Sequence, residues 1–388
     1  MLKQLKLTNV GPAPLMELEF GERLNLVTGD NGLGKSFLLD IAWWALTGKW
    51  PAEVNPRLTS GRVALPNDKK QDAVIDLEVL AVSGGKTASR SFDRSSQNWQ
   101  RSKGRPVKSG LVFYAMSDGS FAVWDPERNY WRDSEDPVGR QDAYIFTPKE
   151  VWDGLQGADG NWLCNGLIRD WAGWQKENGR AFQSLQAVLR QLSPSPKEQI
   201  ETGPLTRISL TDARDMPTIK MPYGMDVSAG MRRVIALAYF LVWCWEEHLK
   251  AVELKGLEPE TRVTFLIDEV ESHLHPRWQR SVIPSLLEVM QQLAAEAKVQ
   301  LIAVTHSPLV MASVEPGFDA DTDKWFDLDL EQGEVVLRDR PFVRQGDASR
   351  WLTSEAFDLG SARSLEAEET LEQAAKILSE EVIDTQLA

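Results

Sequence analysis

The run Gly29-Asp30-Asn31-Gly32-Leu33-Gly34-Lys35-Ser36 constrains this chain more than any other feature. It satisfies the spacing G-x-x-x-x-G-K-[ST] in full, between an apolar stretch, Leu24–Thr28, and an amphipathic one from Ser36 to Leu46. Strand, Gly-rich turn and helix in that order belong to an α/β fold. Glycines let successive backbone N–H groups turn inward around phosphate oxygens. The helix that follows adds the positive end of its dipole. Lys35 is placed to reach the β- and γ-phosphates and the Ser36 hydroxyl to bind Mg²⁺. ATP and Mg²⁺ are therefore the expected cofactors, with Asn31, Gly32, Gly34, Lys35 and Ser36 as binding residues.

Far downstream, the apolar strand Thr264-Phe265-Leu266-Ile267 ends in Asp268-Glu269. A buried strand can deliver such acids to the carboxyl edge of a sheet, where nucleotides bind. Asp268 is expected to hold Mg²⁺ through water, and Glu269 to orient and polarise the attacking water as general base. Around it, helix Ala229–His248, strand Val263–Ile267, helix Pro276–Ala297 and strand Val299–Val304 alternate, which predicts a largely parallel sheet. Elsewhere Leu2–Leu7 and Met16–Phe20 read as strands, and Asp118-Gly119 turns a hairpin between Leu111–Tyr114 and Phe121–Trp124. Gly166–Leu192 reads as helical with a break near Gly179, and a late hairpin, Trp325–Leu330 with Glu334–Leu337, turns at Gln332-Gly333. The expected division is a head from 1–50 and 220–340, an inserted β-hairpin and helical subdomain at 51–219, and a helical C-terminal tail at 341–388.

Further motifs add a family resemblance. Asp268-Glu269-Val270-Glu271-Ser272-His273-Leu274-His275-Pro276 resembles the DEPE-x-x-LHP segment of ABC-type ATPases related to RecF, SMC and the OLD family. Val227-Ser228-Ala229-Gly230-Met231-Arg232-Arg233 resembles their signature, LSxGQ, with Val and Met in place of Leu and Gln. Thr305-His306-Ser307-Pro308 resembles the segment that carries their switch histidine. These motifs and the phosphate loop stand in the family's order and cover about 1–50 and 220–310.

The resemblance implies an ABC-type P-loop NTPase head with a mixed or parallel central sheet, hydrolysing ATP as a head-to-head homodimer or higher homo-oligomer. Ser228 and Gly230 of one copy would contact the γ-phosphate held by Lys35 of the other. His306 would donate a hydrogen bond to that phosphate or to the attacking water. The Gln that lines the family's metal site is not identifiable, and Gln141 is the nearest candidate.

Blander readings stand beside these. Ser228-Ala229-Gly230 is also a plain helix N-cap, and His273 with His275 could be a metal pair. Asp319-x-Asp321-x-Asp323 has Lys324 where an EF-hand loop needs Gly, so it reads as a solvated loop. Neither a long coiled coil nor a nuclease centre emerges. The stretch from Arg344 to Glu368 resembles the tail of Septu-type ATPases found beside effector proteins in anti-phage defence. That resemblance implies a separately encoded effector partner, such as a nuclease. The alternative is a RecF/SMC-like DNA-repair or DNA-clamping ATPase, with DNA as partner.

The net charge of −14 argues against a surface that binds DNA or an anionic membrane throughout. A local groove stays open: Arg90, Arg94, Arg101, Lys103, Arg105 and Lys108 form either a solvated loop or a phosphate-backbone contact. Two cysteines imply no disulfide framework and fit a reducing cytoplasm. The longest apolar run, Val234–Trp245, is too short to span a bilayer, and the start lacks a signal-peptide pattern. A cytoplasmic protein without membrane contact is expected. Fifteen tryptophans, many between 43 and 174, imply either aromatic surfaces or a packed subdomain.

Overall fold

The computed structural model describes the chain except residues 82–83, 101–108, 130–142, 158, 208–213, 221–227, 294–296 and 388, with side-chain surroundings up to residue 377. Gln141, Val227, Arg101, Lys103, Arg105 and Lys108 lie outside the described residues. In chain order come strands β1 (Leu2–Val10), β2 (Ala13–Glu19) and β3 (Leu24–Gly29), then helix α1 (Lys35–Thr47). Next are β4 (Val74–Ala81), β5 (Gly84–Asp93), β6 (Leu111–Ala115), β7 (Phe121–Trp124) and β8 (Tyr144–Phe146). Helices α2 (Leu167–Glu177), α3 (Arg180–Gln191) and α4 (Ala229–Lys255) lead to β9 (Arg262–Ile267), α5 (Val282–Leu293), β10 (Lys298–Val304) and α6 (Pro308–Val314). Strands β11 (Lys324–Glu331) and β12 (Glu334–Arg340) and helices α7 (Ala348–Leu352) and α8 (Leu365–Leu387) complete the series.

The fold is α/β, with an eight-stranded central sheet in the order β12-β11-β3-β10-β9-β6-β7-β8. Its middle strands, β11, β3, β10, β9 and β6, run parallel. Antiparallel neighbours close both ends. Strands β6 to β8 come from within residues 51–219. Every residue of β6 is buried, and such a run needs cover on both faces. It finds that cover beside β9, where Phe113 meets Phe265 edge to face at 5.7 Å. A separate antiparallel sheet, β2-β1-β4-β5, is extended by Asn98–Trp99.

Alternation along the central strands divides the apolar residues between two cores. Leu111, Phe113 and Phe265 face one core with α2, α3, α4 and α5; Val112, Tyr114 and Leu266 face the other with α1 and the antiparallel sheet. Trp43, Trp44, Trp50 and Trp99 belong to this second core, with Trp44 stacked on Trp50 at 5.2 Å. Those tryptophans are packed, whereas Trp162 is half exposed under the Arg169 guanidinium. No helix among the described residues is long and apolar enough to cross a membrane.

One expected break is present, and one expected helix is interrupted. The helix read from Gly166 breaks at Asn178, which takes a left-handed φ of 50°. The one read over Pro276–Ala297 makes a short turn, Pro276–Gln279, and restarts at Val282. Pro284 has no N–H to give residue 280, so the break falls where that bond would be missing.

The stretch after β12 is pinned by a buried carboxylate. Glu315 accepts hydrogen bonds from Gln345 N at 2.7 Å, Gly346 N at 3.1 Å and Trp351 Nε1 at 2.6 Å. Trp351 is fully buried against Trp325 and Phe342. Trp351→Ala is therefore expected to destabilise the chain by about 3–5 kcal/mol. A denaturant series would read this, and a loss under about 1 kcal/mol would mean that this stretch does not consolidate the core. Beyond it, α8 exposes Leu365, Leu371 and Ile377.

Candidate nucleotide site

The parallel order sets the carboxyl ends of β3, β10, β9 and β6 side by side. Gly29 ends β3 with φ at +126°, and a Cβ there would sit 2.1 Å from the Leu328 carbonyl oxygen. Only glycine lets the strand stay against β11 and still turn into the loop. Gly34, with φ at +100°, caps α1, and a Cβ would lie 2.6 Å from Pro12. Lys35 folds back into the loop. Its Nζ donates to Gly29 O at 2.8 Å and Asp30 O at 2.6 Å. Burial lowers this ammonium below its usual range, while the charges of Asp268 and Asp30 oppose the shift. Asn31 and Gly32 stay exposed on the loop, and Ser36 in the first turn of α1.

Asp268 emerges from β9 at 2% exposure, held by its N–H to Ala115 O at 2.9 Å. Burial pushes its carboxyl above the usual range; the Ser36 and Ser117 hydroxyls pull it down, and Arg233 also does so. Its Oδ1 has no hydrogen-bond partner among the described residues. A buried carboxylate oxygen without a donor is costly, and a divalent cation beside the Ser36 hydroxyl fits that donor set. Among the described residues no group of three or more His, Cys, Asp or Glu could hold a metal. The ion would accordingly draw its other ligands from phosphate and water. His273 and His275 do not form such a group: His275 Nδ1 accepts from Arg277 N at 3.3 Å and caps a helical turn.

Glu269 holds a left-handed backbone, φ 46°, a conformation that costs a non-glycine residue free energy. Glu271 ties this loop to the next. It accepts from Thr305 Oγ1 at 2.7 Å and from His306 N at 2.5 Å. Burial pushes the Glu271 carboxyl up. His306 is partly buried, and burial, then the Lys35 charge, holds its imidazole below the usual range. This shift favours the neutral imidazole, which keeps one N–H to donate.

Ser228 caps α4 on the surface, where its Oγ accepts from Met231 N at 3.3 Å. Gly230 is buried, and a Cβ there would come 2.3 Å from His273 O. The start of α4 thus rests on the backbone that follows Glu271. Lys35, Ser36, Asp268, Glu269 and His306 gather around one another at the sheet edge, while Ser228 faces solvent on its own helix end.

Several residues here have no role that the motifs imply. Ser117 lies in the β6–β7 turn, legible only as a hairpin turn beside Asp118-Gly119. Arg233 Nη1 donates to Ser117 O at 3.0 Å and its Nη2 to Asp268 O at 2.5 Å. An open cavity of about 570 Å³ adjoins the phosphate loop, bounded by Gly11, Pro12, Gly34, Phe37, Asp40 and residues 59–67. On its wall Asp40 accepts from Tyr114 Oη at 3.0 Å, and burial pushes its carboxyl up to about 7.

The family model described as "AAA domain, putative AbiEii toxin, Type IV TA system" matches residues 24–312. The chain is similar to the Septu protein PtuA of Bacillus thuringiensis, 24% identical over 98% of this chain and 90% of that protein. It is also similar to the Retron Vc95 probable ATPase of Vibrio cholerae serotype O1 biovar El Tor. There the identity is 41%, over 36% of this chain and 27% of that protein. Among solved structures it aligns with an Smc head bound to the C-winged helix domain of ScpA. That alignment has 15% identity and a TM-score of 0.45, covering 87% of this chain and 98% of the other. With the family model spanning both the phosphate loop and the Asp268 strand, this chain belongs to the AAA_21 family of ATPases.

Proposed function

We propose that the chain is a Mg²⁺-dependent ATPase whose copies pair through ATP, and that its paired and unpaired states gate a separately encoded effector in anti-phage defence. The observation that supports the chemistry best is Asp268 Oδ1, without a hydrogen-bond partner among the described residues and buried beside Ser36 and the Lys35 loop. Loop N–H groups and Lys35 hold the β- and γ-phosphates. Ser36 and Asp268 would hold the Mg²⁺, which would neutralise charge on the phosphate oxygens. Glu269 takes the proton of the attacking water, and neutral His306 donates to the γ-phosphate. The open cavity lined by Phe37 and residues 59–67 has the size and place to take the base and ribose.

Ser228 supports the pairing. An exposed hydroxyl at the N-terminus of a long helix is an anion site, and a second copy supplies the anion. The likeness to a Septu protein along nearly the whole chain supports the defence setting. ATP binding then favours one assembly and hydrolysis releases it, so the effector reads the nucleotide state.

Mass measurement with and without a slowly hydrolysed ATP analogue tests the pairing. The analogue and Mg²⁺ are expected to double the mass, and Ser228→Arg to prevent doubling by driving a side chain too bulky for the contact into it. A mass insensitive to nucleotide, or a Ser228→Arg chain that still doubles, overturns the reading. Hydrolysis stimulated by DNA and suppressed by salt would point instead to a DNA-clamping ATPase.

A further inference from the structure

Arg233 stands five residues beyond Ser228 on α4, yet its guanidinium is spent on the site of its own copy. It forks to the carbonyls of Ser117 and Asp268, at 3.0 and 2.5 Å. Both carbonyls belong to residues whose side chains meet at the Asp268 carboxylate. The same end of α4 is wedged against the His273 backbone through Gly230, with no room for a Cβ. The rim that would receive nucleotide and cation is thus joined to the helix end that presents Ser228 outward.

We propose that Arg233 is a positioning residue that couples occupancy of the Asp268 site in one copy to the placement of that copy's own Ser228 against its twin. The inference rests on the pairing reading above. A guanidinium is planar and presents its donors in a fixed fork, so two carbonyls bonded to one Arg move with it. A ligand engaging Asp268 shifts the peptide that carries it, and Arg233 passes that shift to the first turns of α4. A displacement of about 1 Å at a reacting centre can cost about 10²-fold in rate. Coupling of this kind is reciprocal, so pairing tightens ATP binding and ATP tightens pairing.

The test uses Arg233→Gln and Arg233→Lys in the full chain, with three readouts. These are affinity for a fluorescent ATP analogue at concentrations too low for pairing, nucleotide-driven mass, and the Hill coefficient of ATP turnover. The native chain is expected to give a Hill coefficient approaching 2. Arg233→Gln keeps analogue affinity within about threefold, yet needs roughly 5–150-fold more protein to pair, the usual span of such couplings, and its Hill coefficient falls to 1. Arg233→Lys keeps the charge but not the fork, and is expected to fold normally and still lose the cooperativity. Should Arg233→Gln fail to fold, the lysine variant decides. A lysine variant that keeps both pairing and a native Hill coefficient overturns the proposal. So does a parallel loss of analogue affinity in unpaired protein, which marks a plain structural pin. If Ser228→Arg leaves pairing intact as well, the pairing reading itself has failed; if it abolishes pairing while Arg233 variants behave as native, only this inference has.

Discussion

Glu269→Gln is expected to cut ATP turnover by about 10²–10⁴-fold, the span a positioned general base supplies, while ATP stays bound and the copies stay paired. The substitution removes a proton acceptor and little else. The backbone at this position is fixed from both sides: Asp268 N donates to Ala115 O at 2.9 Å, Val270 N to Val304 O at 3.2 Å, and Ser272 N to Glu269 O at 2.8 Å. A glutamine of the same shape inherits the left-handed φ of 46°. The Asp268 carboxylate and Lys35 are untouched, so binding persists. Single-turnover hydrolysis alongside mass measurement reads both halves. A fall of less than about tenfold would remove Glu269 from the base role, and would favour a scaffold that scarcely turns over.

Lys35→Ala attacks the opposite end of the reaction. Truncating one partner of a buried charge-assisted contact costs about 2–5 kcal/mol, or roughly 30-fold to several-thousand-fold in ATP affinity. Nucleotide-driven doubling of mass should vanish with it. The free chain pays too: Gly29 O and Asp30 O lose the ammonium at 2.8 and 2.6 Å. Asp268, already pushed up by burial, loses a neighbouring cation. The melting temperature therefore belongs beside the calorimetric titration, so that a loss of affinity is read on folded protein. An alanine variant that binds ATP within about threefold of the native chain would contradict the phosphate-binding role of Lys35, since that difference is well under 1 kcal/mol.

How much was legible in the chain differs by element. The hairpin at Gln332-Gly333 is local: both residues take positive φ, 51° and 86°, and the glycine does so without strain. The break at Asn178 was legible too, since Asn tolerates the left-handed φ of 50° that ends the helix. The restart of α5 at Val282 was hidden, because helical periodicity continues through Ser281 although Pro284 removes a bond. Fifteen tryptophans left surface and core equally open, since hydrophobicity alone does not say which face a neighbour covers. Trp44 on Trp50, and Trp351 beneath Glu315, are contacts made only when distant segments meet.

The sequence alone determined the backbone of the Gly-rich loop. Eight consecutive residues dictate their own backbone through glycine and the start of a helix, so Lys35 and Ser36 could be placed without knowing anything else about the fold. Which strands flank β9 was decided by tertiary structure. Parallel pairing of β6 with β9 brings Ser117 to Asp268, and Arg233 then reaches both across 116 and 35 residues of chain. Pairing between distant strands depends on burying both faces of the sheet at once, a property of the whole assembled core that no local spacing encodes.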